Sequence, residues 1–283
     1  MALELYQDHD IELGLKEPLY AVDFTTNDLC LSLFPWAEFR STIAGIKAHT
    51  VIDLRGSIPA MLTITTGKVS DVGLLDHLTL PKGFIVVLDR GYVDFARLYQ
   101  LVQRQCDSVV GAEDNLSFHC VQAHPIDSKA GVYSDQTILL MGERSRKGYP
   151  KPLRRVLFYD SVSCLELVFL TNRLDLSALT MAAIYKQRWQ TELFFKWLKQ
   201  NLIIKHFFGN SFNAVRSPIW IAVCTFLLAL IAHKPFQADL SSLRNFLHLV
   251  EVNMFEKITL AQMAANALRG DVLAQIHAQI ELF

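Results

Sequence analysis

The stretch FIVVLDRGY, from Phe84 to Tyr92, indicates a strand at the centre of a sheet. Its apolar run shows no alternation with polar residues, which is typical of a strand buried on both faces. Asp89 ends this run, and Asp23 follows another apolar run, LYAV, in the same way. Reactive groups in α/β sheets gather at the carboxyl ends of strands. Asp23 and Asp89 are therefore candidate site residues, although a single such aspartate is more often a turn residue or a helix cap.

The two aspartates would lie side by side if their strands are neighbours. Two ionised carboxylates so close repel each other, and a cation relieves that repulsion. A pair of Mg²⁺ ions, about 3.5–4 Å apart, would make such a place a phosphoryl-transfer site. Asp71 is the strongest competitor, although a cap for the following helix would explain it. All the competing aspartates are Asp53, Asp71, Asp94 and Asp160.

The predicted secondary structure changes along the chain. Strands and helices alternate in the first half, which predicts a mixed α/β core with helices on the faces of a sheet. Short β runs separated by turns follow, and from Ser177 the pattern is helical, with a first long helix reaching about Lys205. DLCLSLF is a further strand candidate near the start. The predicted segments are an acidic lead-in (1–18), the first part of the core (19–113), a β-rich insertion (114–172), a helix with core completion (173–235) and a helical tail (236–283).

The stretch YKQRWQTELFFKWLKQ, from Tyr185 to Gln200, predicts a helix with one charged face. The apolar residues between the charges, with Trp189 and Trp197 among them, are expected to be buried. The charged face has two interpretations. It either forms solvated ion pairs, which contribute a few tenths of a kcal/mol each, or places a metal-binding carboxylate beside phosphate-binding cations. Five residues spaced by three or four form a stripe roughly 80° wide: Tyr185, Arg188, Glu192, Lys196 and Lys199.

Bulk composition excludes several classes of protein. The chain has 283 residues, is 51% hydrophobic and carries a net charge of −1, which indicates a globular protein whose DNA contacts, if any, are local patches. Its five cysteines are scattered, so neither a disulfide framework nor a thiolate zinc site is expected. This cysteine usage predicts a reducing compartment such as the cytosol. The apolar run 219–232 is short for a membrane span and favours a core helix. The cationic segment 144–155 is either a DNA contact or a solvated turn.

With AVDFTT, FPWAEFR, KAHTVIDLRGSIP, VVLDRGY and the late helix in this order, the chain resembles a DDE transposase of the bacterial insertion-sequence-four type. The motif Y-x2-R-x3-E-x6-K of that type is matched by Tyr185, Arg188, Glu192 and Lys199. The resemblance covers residues 19–235 and implies a ribonuclease H-like core with a β-rich insertion before the last catalytic helix, and a helical C-terminal part.

The resemblance also implies roles for individual residues. Asp23, Asp89 and Glu192 would be catalytic and would hold two Mg²⁺ ions, with Mn²⁺ as a substitute. The reaction would be hydrolysis of a phosphodiester at the transposon end, followed by strand transfer to target DNA. The partners would be double-stranded DNA and a second copy of the chain on that DNA, in the bacterial cytoplasm and at the nucleoid, with no membrane. The DNA-binding residues would be Tyr185, Arg188, Lys199, Lys196 and Arg90.

The chain departs from this family in three places. Phe24 follows Asp23 where relatives carry serine, GAEDN is acidic where relatives are often basic, and only 22 residues precede Asp23. Relatives commonly have a helical N-terminal domain there, so either a truncated copy or a copy whose N-terminal module is encoded elsewhere is expected. Two alternatives to an active transposase domain follow. One is a non-catalytic DNA-binding or oligomerising remnant that interferes with full-length transposase, and the other is a nuclease of the same core fold.

Overall fold

The protein is described by a computed structural model. It describes residues 2–265 with gaps at 9–10, 12, 16, 41–42, 79, 114, 202–208 and 237–242. The chain divides into two compact units, Tyr6–Ile219 and a smaller one made of Met1–Leu5 with Trp220–Phe283. The larger unit contains the sheet, and the smaller one is helical where it is described.

Ten strands of the larger unit form one mixed sheet. The order is β2-β3-β1-β5-β6-β10-β9-β8-β7, and β4, which is outside this order, also pairs with β3. β1, β5 and β6 are parallel neighbours, whereas β3 is antiparallel to β1 and to β4. The strands are β1 (Leu19–Leu29), β2 (Glu38–Arg40), β3 (Ile43–Asp53), β4 (Ile58–Thr66), β5 (Ile85–Leu88), β6 (Asp107–Gly111), β7 (Phe118–Ala123), β8 (Val132–Leu140), β9 (Leu153–Asp160) and β10 (Leu165–Thr171).

Helices complete the mixed α/β architecture that the sequence predicts. The segment VSDVGLLDHL forms a short helix as expected, and VDFARLYQLVQRQ forms a longer one that Asp94 caps. The helices are α1 (Ala2–Leu5), α2 (Leu74–His77), α3 (Phe95–Gln103), α4 (Glu143–Gly148), α5 (Ala178–Lys186), α6 (Trp189–Asn201), α7 (Phe212–His233) and α8 (Leu243–Val252).

The central strand predicted from FIVVLDRGY is confirmed. All four residues of β5, Ile85–Leu88, have no exposed surface. Burying one such side chain contributes about 1.5–3 kcal/mol, so the strand anchors the sheet between β1 and β6. β6 is not an edge strand either, because β10 pairs antiparallel with it.

The strands of residues 118–171 continue the core sheet through β10. Each of them pairs with the next, β10 with β9, β9 with β8 and β8 with β7. Within this part, Arg154 and Asp135 form a buried, two-pronged ion pair with N–O distances of 2.8 and 2.6 Å. The insertion boundaries at 114 and 172 stay a prediction.

Three predictions about local structure are wrong. DLCLSLF is not a strand of its own, since Asp28 and Leu29 end β1 and the rest is irregular. The long helix from Ser177 is interrupted at Gln187 and Arg188, where backbone N–H groups bond to carbonyls three residues back. Trp189, expected in the core, is 57% exposed.

The cationic segment 144–155 divides into two parts with different surroundings. Arg154 and Arg155 are buried in β9, where Arg154 pairs with Asp135 and Arg155 lies over the ring of Phe118. The exposed cations lie on and after α4, and Lys147 pairs there with Glu143 at 2.7 Å. Only these exposed cations are available for a DNA backbone.

The smaller unit contains a core of its own. Phe246 of α8 and Ala264 are buried there, and Phe236 stacks on Phe246 with ring centroids 6.2 Å apart. By length and composition, the segment Phe212–Phe236 could cross a membrane, a test that core helices of soluble proteins also pass. One such helix is weak evidence for a membrane span.

Candidate active site

The register of three parallel strands places the candidate aspartates at one level of the sheet. Val22 of β1 pairs with Leu88 of β5, so the next residues, Asp23 and Asp89, are neighbours. Asp23 does not end its strand as the sequence suggested, because β1 continues to Leu29 through its antiparallel pairing with β3. The side-by-side arrangement expected of the two aspartates is nevertheless present.

Asp23 has a defined set of partners. Its Oδ1 accepts a hydrogen bond from the backbone N–H of Phe24 at 2.8 Å, and its Oδ2 accepts one from the Thr191 hydroxyl at 2.7 Å. Arg188 Nη1 lies 3.6 Å from the same Oδ2. Burial raises the pKa of Asp23 above its ordinary value, and the charge of Asp89 adds to that effect although the hydrogen bonds and Arg188 oppose it. Burial and, to a smaller extent, the charge of Asp89 thus both work against ionisation of Asp23.

Arg188 connects the acidic side chains of the site. Its Nη2 donates to Glu192 Oε1 at 2.9 Å, while its Nη1 faces Asp23. Burial works against the charge of Arg188, yet the attraction of Asp89, Tyr185, Glu192 and Asp23 raises its pKa overall. The interruption between α5 and α6 therefore brings one cation among three predicted site acids.

Tyr185 lies at the end of α5 and faces the sheet. Its ring stacks on Phe169 with centroids 5.6 Å apart, and burial, then the charge of Asp89, raises its pKa. Gly111 of β6 follows Val110, which pairs with Leu88, so Gly111 is level with Asp89. A Cβ on Gly111 would meet the Tyr185 hydroxyl. Gly111 therefore provides the space in which that hydroxyl sits.

The other predicted DNA-binding cations lie on the surface around this site. Arg90 directly follows Asp89 and is exposed. Lys196 and Lys199 are exposed on α6, one and two turns after Glu192. All three are accessible to a large ligand, whereas Tyr185 and Arg188 are partly buried.

The competing aspartates have structural partners of their own. Asp53 binds the guanidinium of Arg55, Asp94 caps α3, and Asp160 binds Lys186. Asp71 accepts a hydrogen bond from the buried Lys47 at 2.8 Å, so it is an ion-pair partner rather than the helix cap that the sequence suggested.

The donor chemistry fits a divalent cation in part. Asp23 and Asp89 offer carboxylate oxygens, the ligands that Mg²⁺ prefers. Glu192 would complete the set, but its carboxylate is bound to Arg188. Across the described part of the chain, no group of three or more His, Cys, Asp or Glu comes close enough to hold a metal ion. The two strand aspartates fit the predicted ion, and Glu192 would join them by exchanging Arg188 for it.

Two residues of the site were not predicted from the sequence. Thr191, which is fully buried, bonds to Asp23, and Gly111 makes room for Tyr185. Thr191 is off the charged stripe, since consecutive helical residues point about 100° apart. Gly111 in CDSVVGA resembles any glycine that ends a strand. Each has a role only because a distant segment packs against it.

Comparison with known proteins gives the family of the chain. A family model described as a transposase DDE domain matches residues 15–228. Among curated proteins, "Putative transposase y4zB" of Sinorhizobium fredii is 31% identical over 230 residues, which are 80% of this chain and 64% of that protein. "Probable transposase for insertion sequence element IS5377" of Geobacillus stearothermophilus is 31% identical over 76% of this chain and 57% of that protein. This chain thus spans roughly three fifths of the length of these relatives.

A solved structure shares the fold. The piggyBac transposase, in a synaptic complex with hairpin DNA, aligns with a TM-score of 0.50 at 10% identity, covering 88% of this chain and 51% of that chain. The ribonuclease H-like fold class is thereby confirmed. The chain belongs to the DDE transposase domain family, as the motif resemblance predicted.

Proposed function

We propose that this chain is the catalytic domain of a DNA transposase that cleaves a phosphodiester at transposon ends and transfers the strand to target DNA. The supporting observation is the pair Asp23 and Asp89, level on adjacent parallel strands, with Arg188, just before α6, contacting both Asp23 and Glu192. Membership of the family agrees with this proposal.

In this proposal Asp23, Asp89 and Glu192 hold two Mg²⁺ ions, for which Mn²⁺ can substitute. Bound there, the ions would activate the attacking oxygen and stabilise the leaving one in an in-line displacement. The protein's own contribution is to fix the carboxylates. The sheet register sets Asp23 beside Asp89, and α6 carries Glu192 toward them.

The phosphates of the DNA would bind the cations that now balance the charges of the site acids. Arg188 has a planar guanidinium suited to two-pronged binding of a phosphate. A metal that neutralises Asp23 and Glu192 would release Arg188 for that contact. Tyr185 lies beside Arg188, while Lys196, Lys199 and Arg90 contribute sequence-independent attraction for the backbone. Assembly on DNA as a homodimer, in the bacterial cytoplasm and at the nucleoid, completes the proposal.

Nicking of supercoiled plasmid in Mn²⁺ tests the function. The parent chain should convert the plasmid to the open circle, and Glu192→Gln should not. Glu166→Gln, on an exposed glutamate of β10, is the matched control and should behave as the parent does. Cleavage by the parent and by Glu192→Gln alike would contradict the assignment of the site. Absence of cleavage by a folded parent would contradict an active domain and favour the DNA-binding remnant instead.

A further inference from the structure

Thr191 lies one residue before Glu192 on α6, and it has no exposed surface. Its neighbours along the chain, Gln190 and Glu192, are both partly exposed. Threonine has a lowered helix propensity because it is branched at Cβ. Its hydroxyl also costs free energy when it is buried without a hydrogen-bond partner. The contacts of this hydroxyl therefore indicate why the residue is there.

The Thr191 hydroxyl is close to two acceptors. Oγ1 is 2.7 Å from Asp23 Oδ2 and 2.8 Å from the backbone oxygen of Arg188. It has a single proton to donate. The Arg188 oxygen already accepts the backbone N–H of Thr191 at 3.0 Å, and a bond to a carboxylate is the stronger of the two. The Thr191 hydroxyl therefore donates its hydrogen bond to Asp23.

This bond joins two parts of the site that are remote in sequence. Residues 23 and 191 are 168 positions apart, and one belongs to β1 while the other belongs to α6. The carboxylate of Asp23 receives one donor on each oxygen, Phe24 N–H on Oδ1 and Thr191 on Oδ2. Each oxygen keeps a lone pair for a cation, and the plane of the carboxylate is set from both sides.

We propose that Thr191 is a positioning residue that orients the Asp23 carboxylate for cation binding and couples it to the helix of Glu192. The proposal rests on the proposed function, because it concerns the same pair of aspartates. Partners that hold a ligating carboxylate typically contribute tenfold to a hundredfold to metal affinity or activity. Thr191 has that relation to Asp23.

Thr50 provides a matched control for this proposal. It is fully buried on β3 and pairs directly opposite Asp23 in the sheet. Within the part of the chain that the structure describes, its hydroxyl has no hydrogen-bond partner. Thr50→Val and Thr191→Val thus make the same chemical change beside the same aspartate, but only Thr191→Val removes a bond to it.

The experiment is a titration of the purified chain with Mn²⁺, following free Mn²⁺ by its electron paramagnetic resonance signal, together with plasmid nicking at saturating Mn²⁺. Thr191→Val should weaken Mn²⁺ binding by about tenfold or more and slow nicking by about tenfold to a hundredfold. Thr191→Ser, which keeps the hydroxyl, and Thr50→Val should both stay near the parent in both measurements. Should Thr191→Val not fold, Thr191→Ala compared with Thr191→Ser gives the same contrast.

Two results would overturn the proposal. One is Mn²⁺ binding by Thr191→Val equal to that of the parent, and the other is a loss in Thr191→Ser as large as in Thr191→Val, which would mean that packing alone matters. A parent that binds Mn²⁺ but does not nick DNA would contradict the proposed function, and the Mn²⁺ titration of the variants would still decide the role of Thr191. A parent that binds no Mn²⁺ would overturn both.

Discussion

The strand side and the helix side of the site are held in place by different means. On the strand side, backbone pairing between β1 and β5 brings Asp23 level with Asp89. On the helix side, Arg188 and Glu192 hold each other, and Arg188 and Thr191 reach across to Asp23. A backbone ladder tolerates changes in its side chains, whereas a side-chain contact depends on both partners. Strand-side changes should therefore alter charge and chemistry, and helix-side changes should alter geometry.

The largest effect is expected from the strand side. Asp89→Asn should lower Mn²⁺-dependent nicking by about a thousandfold or more, since even one transition-state donor is worth a hundredfold to a thousandfold. Its melting temperature should change little, because the charge that is removed both repels Asp23 and attracts Arg188. Nicking assays and circular-dichroism melts measure the two quantities. Asp28→Asn, on an exposed aspartate of β1, is the control, and nicking by Asp89→Asn at the parent rate would refute the strand-side assignment.

A glycine substitution tests the fit between the two sides. In Gly111→Ala the new Cβ would meet the Tyr185 hydroxyl and lie 3.0 Å from the backbone nitrogen of Arg90. Because a displacement of about 1 Å can cost a hundredfold in rate, nicking should fall by about that factor. Gly91→Ala is the matched control, since a Cβ there meets no atom of the described residues within 4 Å. Equal rates for the two variants would mean that the position of Tyr185 does not matter.

A smaller effect is expected when pH is lowered. Burial, with the nearby Lys47, depresses the pKa of His49 below 6.5, although Asp71 opposes this. The unfolded chain therefore takes up a proton near the ordinary value while the folded chain stays neutral, and stability is lost as pH falls below that value. The loss should not exceed about 1.4 kcal/mol per pH unit. Urea unfolding across this range should show a flatter dependence for His49→Gln, whereas His119→Gln, on an exposed histidine, should keep the parent slope.

The smallest effect is expected on the outer face of α6. Trp189 is 57% exposed, so Trp189→Ser should change the free energy of unfolding by no more than about 0.5 kcal/mol. Urea denaturation measures this change. A loss of several kcal/mol would show that another part of the protein covers this tryptophan.

Much of the fold was predictable because its signals are local. The unbroken apolar run before Asp89 predicted the buried central strand, and the motif around Tyr185 predicted the helix that carries Glu192. The interruption at Gln187 and Arg188 was not predictable, because the sequence has no proline or glycine there. The exposure of Trp189 was missed for a similar reason, since a helical pattern does not say which face meets the sheet.

The sequence by itself determined the family, the order of the strands and helices, and the identity of Asp23, Asp89 and Glu192 as candidates. Residue type and short-range spacing carry that information. Only the tertiary structure decided that Arg188 joins Glu192 to Asp23, that Thr191 binds Asp23, and that Gly111 leaves room for Tyr185. These contacts depend on how the sheet packs against α5 and α6, and segments so distant in the chain meet only when the whole larger unit has folded.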